Sequence, residues 1–125
     1  MKMLMIDVEN RKIEMVEANT LTDYYQLIGC RTIDIAHRRI GDVEVEIVLD
    51  DEGLLVESSK VSAISPDGTP MLFGNLLIAS GRVTEDGDLT ELDQDEIEAI
   101  KTWCIASITT SVYKEPYPAL VEVDY

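Results

Sequence analysis

Asp42–Glu57 reads DVEVEIVLDDEGLLVE, and the order of its apolar and acidic residues decides the fold class. Val43, Val45 and Ile47 alternate with Glu44 and Glu46, the two-residue period of a strand with one buried and one wet face. From Ile47 to Leu49 the run is continuously apolar, so the strand should sink deeper towards its end. Asp50-Asp51-Glu52-Gly53 then supplies turn chemistry, with a glycine free to take positive φ, and Leu54-Leu55-Val56 is expected to return as the partner strand. A β-hairpin at the centre of a small mixed α/β domain follows.

Outward from this hairpin towards the amino end, Met3–Val8 and Ile13–Glu17 flank a polar turn and predict an opening hairpin. Asn19 or Thr20 can cap a helix with Leu21, Tyr24, Tyr25, Leu27 and Ile28 on one stripe, and Gly29 closes it where a left-handed residue is wanted. Arg31–Ala36 alternates as a third strand, with His37-Arg38-Arg39 and Gly41 forming the turn into the central hairpin.

In the other direction, Ser58–Pro70 (SSKVSAISPDGTP) reads as a surface loop, rich in serine and proline and anchored by Val61, Ala63 and Ile64. Met71–Val83 is expected as one buried strand with a bulge or close backbone approach at Gly74 or Gly81. A Glu85–Asp88 turn leads to a short return over Leu89–Leu92. Asp93 at N-cap and Glu96 three residues on open a helix carrying Ile97, Ile100, Cys104 and Ile108 on one face. Asp93, Asp95, Glu96 and Glu98 lie in its first turns, where the helix dipole favours them. Pro116 and Pro118 forbid its continuation, so residues 113–125 are expected as an extended tail. Leu120, Val121 and Val123 would have to dock on the sheet or on a partner. The expected architecture is a single α+β domain over residues 1–112 followed by this tail. It holds an antiparallel-rich sheet of roughly five to seven strands, with helices over Thr20–Ile28 and Asp93–Ser111 on one face.

The charge balance limits function. The 125 residues hold 25 Asp and Glu against 10 Lys and Arg, a formal net charge of −15. Such a surface repels nucleic acid and anionic membrane and attracts cations or basic protein surfaces. Direct nucleic-acid binding and membrane binding are therefore excluded as expectations. Cys30 and Cys104 are the only cysteines, and the apolar patch near Met1 is broken by Asp7, short of a signal peptide's core. A cytoplasmic setting is expected, with both thiols packed as small apolar groups.

No catalytic constellation emerges. Asp86-Gly87-Asp88-Leu89-Thr90-Glu91 begins like a calcium loop, but Glu91 stands where glycine is needed and Ile97 where a bidentate acid belongs. Zinc lacks ligands, since His37 is the sole histidine and no Cys-x-x-Cys occurs. No phosphate loop and no nucleophile motif accompany any strand. The expectation is therefore no enzyme activity, no metal and no cofactor.

Leu21–Trp103 resembles a family of small proteins of unknown function encoded mostly in phages and mobile elements of bacteria. The resemblance rests on a succession of segments: the helix end Gln26-Leu27-Ile28-Gly29, the strand Thr32–Ile35 and the turn Asp50-Asp51-Glu52-Gly53-Leu54. Phe73-Gly74-Asn75-Leu76-Leu77-Ile78, the Glu85–Asp88 turn and the helix start Leu92-Asp93-Gln94-Asp95-Glu96-Ile97 complete it. It implies a phage or mobile-element setting and transfers no catalytic residue.

What remains is acid. Asp42–Glu52 carries six acids and no base, and Glu85–Glu98 carries eight and no base. Carboxylates three or four apart on a helix stand about 5–6 Å apart at Cβ, close to the phosphate spacing of a nucleic-acid strand. Gathered on one surface, Glu44, Glu46, Asp50, Asp51, Glu52, Glu85, Asp86, Asp88, Glu91, Asp95 and Glu98 could occupy the basic groove of a nucleic-acid-binding protein. The expected function is a binding protein that inhibits such a partner, a defence nuclease for example, by nucleic-acid mimicry. A homodimer is a candidate assembly. The alternative is a small-ligand binder or minor enzyme with Ser58–Pro70 as its lid. Plain solubility and helix capping explain the same acids without any partner.

Overall fold

The computed structural model of the protein describes residues 1–52, 60–82 and 84–125. Along them run β1 (Lys2–Asp7), β2 (Lys12–Glu17), α1 (Leu21–Ile28), β3 (Ile33–Ile40), β4 (Val43–Asp50) and β5 (Val61–Ile64). These are followed by β6 (Pro70–Phe73), β7 (Leu76–Ser80), α2 (Gln94–Trp103), β8 (Ile105–Ile108), β9 (Tyr117–Leu120) and β10 (Val123–Asp124). The strands form a six-stranded sheet in the order β10-β3-β4-β7-β1-β2 and a four-stranded sheet in the order β6-β5-β9-β8. Every neighbour in the larger sheet is antiparallel, and in the smaller one only β5 and β9 run parallel.

Alternation sorts the larger sheet's residues between two cores. Leu4, Ile6, Val45, Ile47, Leu76 and Ile78 face Ala63, Leu72, Tyr117, Ala119 and Leu120 of the smaller sheet, together with Ile100 of α2. Met3, Met5, Val48, Leu77 and Ala79 face the other way, onto Ile28, Tyr24 and Leu27 of α1. Both faces are thus covered, which is why β1 and β7 carry unbroken apolar runs. The two helices consequently lie on opposite faces of the larger sheet, not on one. The expected single sheet is in fact two, because a second layer is needed to bury the face that α2 alone is too short to cover. No helix among the described residues is long and apolar enough to cross a membrane.

Several local expectations hold. The opening hairpin pairs Lys2 with Glu17 through Asp7 with Lys12. Thr20 caps α1 with a full capping box, and Gly29 ends it at φ 80. Asp93 and Glu96 form the same box on α2.

Others are corrected. The hairpin partner of β4 is β3, through a two-residue Gly41-Asp42 turn closed by Ile40 and Val43, and β7 takes its other side. The return strand expected over Leu54–Val56 lies outside the described residues. His37-Arg38-Arg39 belongs to β3 rather than to a turn, since a strand near the edge of a sheet accommodates charge. The supposed loop contains β5 and the start of β6, a bulged hairpin around Ser65–Thr69. The single strand expected from Met71 is divided at Gly74, whose φ of 78 turns the chain from the smaller sheet into the larger. Of the short return over Leu89–Leu92, one bridge from Thr90 to Ser80 forms. Helix α2 stops at Trp103, and Ile105–Ile108, with β-branched Ile105 and Ile108, supplies β8. The last residues, of which Leu120, Val121 and Val123 were expected to dock on a sheet or a partner, do lie on both sheets: β9 lies between β5 and β8, Glu122 turns at φ 62, and β10 pairs with β3.

Candidate interaction surface

Strand polarity decides where the acids gather. At one end of the larger sheet β7 finishes, β4 begins and β1 begins, and the 84–91 loop returns beside Ser80 there, with a Ser80 N–H to Thr90 C=O bond of 2.8 Å. The loop is fixed by a turn in which Gly87 donates to the Thr84 carbonyl (2.9 Å) and Asp88 to the Thr84 hydroxyl (3.0 Å). Gly81 donates to the Glu44 carbonyl at 2.8 Å, drawing the start of β4 against the loop. A Cβ on Gly81 would stand 2.8 Å from that backbone, so the close approach requires glycine.

Arg82 and Glu96 tie this end together. The Arg82 guanidinium donates to Glu96 Oε1 at 2.8 Å and to the Glu91 carbonyl at 3.3 Å, and lies 3.6 Å from Asp93 Oδ2. Glu96 also accepts from the Asp93 N–H at 2.9 Å and from the buried Ser80 hydroxyl at 3.1 Å. Partial burial pushes its carboxyl up, but the Asp93 N–H, Arg82 and Ser80 outweigh that and hold it below the usual carboxylate range. Glu96 therefore serves both α2 and β7, and Asp93 completes the α2 cap, its side chain accepting from the Glu96 N–H at 2.8 Å.

The remaining acids divide between the two ends. Glu44 at the start of β4, Glu85, Asp86, Asp88 and Glu91 on this loop, and Asp95 and Glu98 on α2 are exposed. None of them forms an ion pair among the described residues; Glu91 accepts from the Lys2 backbone N–H (2.7 Å) and Glu98 from Gln94 (3.3 Å). Asp42, which was not singled out from the sequence, lines an open groove of about 490 Å³ beside Glu44, Arg39 and Arg82. Its position straight before β4 was the available signal. Asp50, Asp51 and Glu52 close β4 at the opposite end, six residues or about 20 Å along the strand from Glu44. Glu46 lies between, half-buried, with Oε1 2.8 Å from His37 Nδ1 on β3. The eleven carboxylates thus form one exposed group of seven, a separate group of three and one committed to a cross-strand pair.

The cysteines are both free, Cys104 buried and Cys30 half-buried. Between β3 and β6 lies a cleft of about 280 Å³ with Ala36, Leu49, Leu72 and Phe73 as its apolar lining and Asp34 and Arg38 among its charged residues.

Residues 1–104 match the model of a domain of unknown function, DUF3846. No curated protein and no solved structure matches the chain.

Proposed function

This chain belongs to the DUF3846 family, and we propose that it is a non-enzymatic binding protein whose acidic end docks on a cationic protein surface. The target class is a basic nucleic-acid-binding protein, a host defence nuclease in a phage or mobile-element setting being the first to test. One observation carries the reading: among the described residues, seven exposed carboxylates on the 84–91 loop, the first turns of α2 and the start of β4 have no Lys or Arg in ion-pair contact. Their field is left to solvent, and steers a basic partner over roughly a Debye length, about 8 Å at physiological salt. Asp50, Asp51 and Glu52 stand too far off to share that docking surface, so the mimicry is of a short polyanion segment.

Two sets of substitutions test it. Neutralising Asp86, Asp88, Asp95 and Glu98 to their amides should slow association with a basic nuclease by about tenfold or more at low salt, while Asp50→Asn, Asp51→Asn and Glu52→Gln change it little. Equal association rates for the two sets, or an affinity indifferent to salt, would refute the reading.

The cleft between β3 and β6 supports a second reading, a site for a small ligand. It would rest on that cleft alone, since Val61–Ile64 and Pro70 are strand residues and do not form the lid expected over Ser58–Pro70. A ligand that raises the melting temperature and loses its effect in Phe73→Ser would favour it.

A further inference from the structure

The larger sheet has two edges. Strand β2 is guarded by Lys12, Glu14 and Glu17, the usual protection against pairing with another chain. Among the described residues the other edge is only partly closed, because β10 covers Ile40 and Arg39 and no more of β3.

Hydrogen-bond parity shows which groups are left over. Gly41 donates to the Glu122 carbonyl at 2.9 Å, so alternate residues back along β3, namely Arg39, His37, Ile35 and Ile33, direct their backbone groups outward. Ile40, Arg38, Ala36 and Asp34 direct theirs to β4. Arg39 is met by Asp124, whereas among the described residues Ile33, Ile35 and His37 have no strand beside them.

Two of these outward groups are capped by side chains of the same strand. Asp34 Oδ1 accepts from the Ile35 N–H at 2.9 Å, and Arg38 Nη1 donates to the His37 carbonyl at 2.8 Å. In that pose the Arg38 guanidinium lies 4.6 Å from the centre of the Tyr125 ring, and its Nε is buried with no acceptor. An unmet buried donor is costly, and here it belongs to a cap that a second strand would replace. Neither Asp34 nor Arg38 forms an ion pair among the described residues, although both line the cleft beside the edge. Ile35 stands between them 46% exposed, a large apolar side chain left in water. Arg31–Ile40 also holds three arginines and one aspartate, the reverse of the balance in a chain of net charge −15.

We propose that this open edge is the interface for a second copy of the chain, paired antiparallel about a two-fold axis at Ile35. In that register Ile35 exchanges both backbone bonds with the partner's Ile35, and Ile33 pairs with the partner's His37. The paired stretch, Ile33–His37, is the length that β10 and Tyr125 leave free. Asp34, released from its cap, lies diagonal to Arg38 of the partner subunit on the same face, within reach of these side chains. The relation is reciprocal, so one register satisfies the outward backbone, gives the two charged caps each other and buries Ile35 on its symmetry mate. Arg31, Arg38 and Arg39 on and beside the paired strand offset part of the charge of Asp34, Asp50 and Asp51 near this edge. The assembly is independent of the acidic-end reading and presents two acidic ends.

Sedimentation equilibrium of the full chain tests it, with two variants. Ile35→Pro removes an N–H that makes no ladder bond within the molecule and blocks strand addition; Ile35→Lys keeps the backbone and sets like charges opposite each other at the axis. The wild type is expected to dimerise reversibly with rising concentration. Both variants should weaken the dimer by about tenfold or more while keeping the wild-type far-ultraviolet spectrum. If Ile35→Pro disturbs that spectrum, Ile35→Lys alone decides. A wild type that stays monomeric at all attainable concentrations overturns the proposal, as does a folded variant that dimerises like the wild type.

Discussion

Replacing Glu96 by alanine should cost more than the loss of any other carboxylate at the acidic end. Its side chain completes the α2 capping box through the Asp93 N–H, accepts from the buried Ser80 hydroxyl and receives Arg82. Losing half a capping box costs about 0.5–1 kcal/mol, and leaving a buried hydroxyl without its acceptor costs about 1–2 kcal/mol more. The sum is about 1.5–3 kcal/mol. For 125 residues, an unfolding entropy of about 2.1 cal/mol/K per residue converts this to a fall of about 6–11 °C in Tm. Glu96→Gln retains an oxygen for the Asp93 N–H and should lose about half as much. The sign of the pH dependence follows from the carboxyl being held below its ordinary value in the folded state. The stabilisation is present above the unfolded pKa, about 4.3, and disappears as pH falls through the folded one. Thermal melts followed by circular dichroism should therefore show the gap between wild type and Glu96→Gln constant near neutrality and closing under acid conditions. A fall below about 3 °C for Glu96→Ala, or a gap unchanged in acid, would refute the assignment of Glu96 as the tie between α2 and β7.

Gly81→Ala should lower stability by about 1–3 kcal/mol through overpacking against the Glu44 backbone. Gly87→Ala, at φ 82 but with open space around it, should cost about 1–2 kcal/mol through backbone strain alone; urea midpoints in the reverse order would contradict the close approach. Tyr117→Phe deletes a 2.8 Å bond to the Val61 carbonyl and should cost about 1 kcal/mol, read by urea unfolding. Ile100, fully buried and the main anchor of α2, should cost about 2–4 kcal/mol on truncation to alanine, and a loss under about 1 kcal/mol would dispute that packing. Burial pushes both thiols up, so a thiol reagent at neutral pH should modify the half-buried Cys30 slowly and Cys104 only on unfolding; equal rates would be inconsistent with the burial.

Local chemistry was legible in the chain where it is self-contained. The caps of α1 and α2, the opening hairpin and the alternation of Val43–Ile47 require only neighbours in sequence, and each was found where its residues indicate. Long-range pairing was not legible. Val61–Ile64 has no alternation to mark it, and its identity as a strand depends on Tyr117–Leu120 arriving beside it. Ile105–Ile108 prolongs the apolar stripe of α2, so helical spacing concealed a change to extended backbone that β9 stabilises. The acids were legible in number and kind, but their division between two ends of the molecule follows from the direction of β4, whose eight residues carry Glu44 away from Asp50. The open edge of β3 was invisible for the same reason: nothing local announces that β10 stops after two residues.

The placement of β9 between β5 and β8 also sets an order of events during synthesis. Strand β5 leaves the ribosome more than fifty residues before the neighbour that will shield its exposed side. Until Tyr117–Leu120 emerges, the β5–β6 hairpin presents a bare, apolar flank to every other chain in the vicinity. Nascent protein is thus most vulnerable to misassociation late in its elongation, and a truncation just short of Tyr117 is expected to precipitate rather than persist as a soluble fragment.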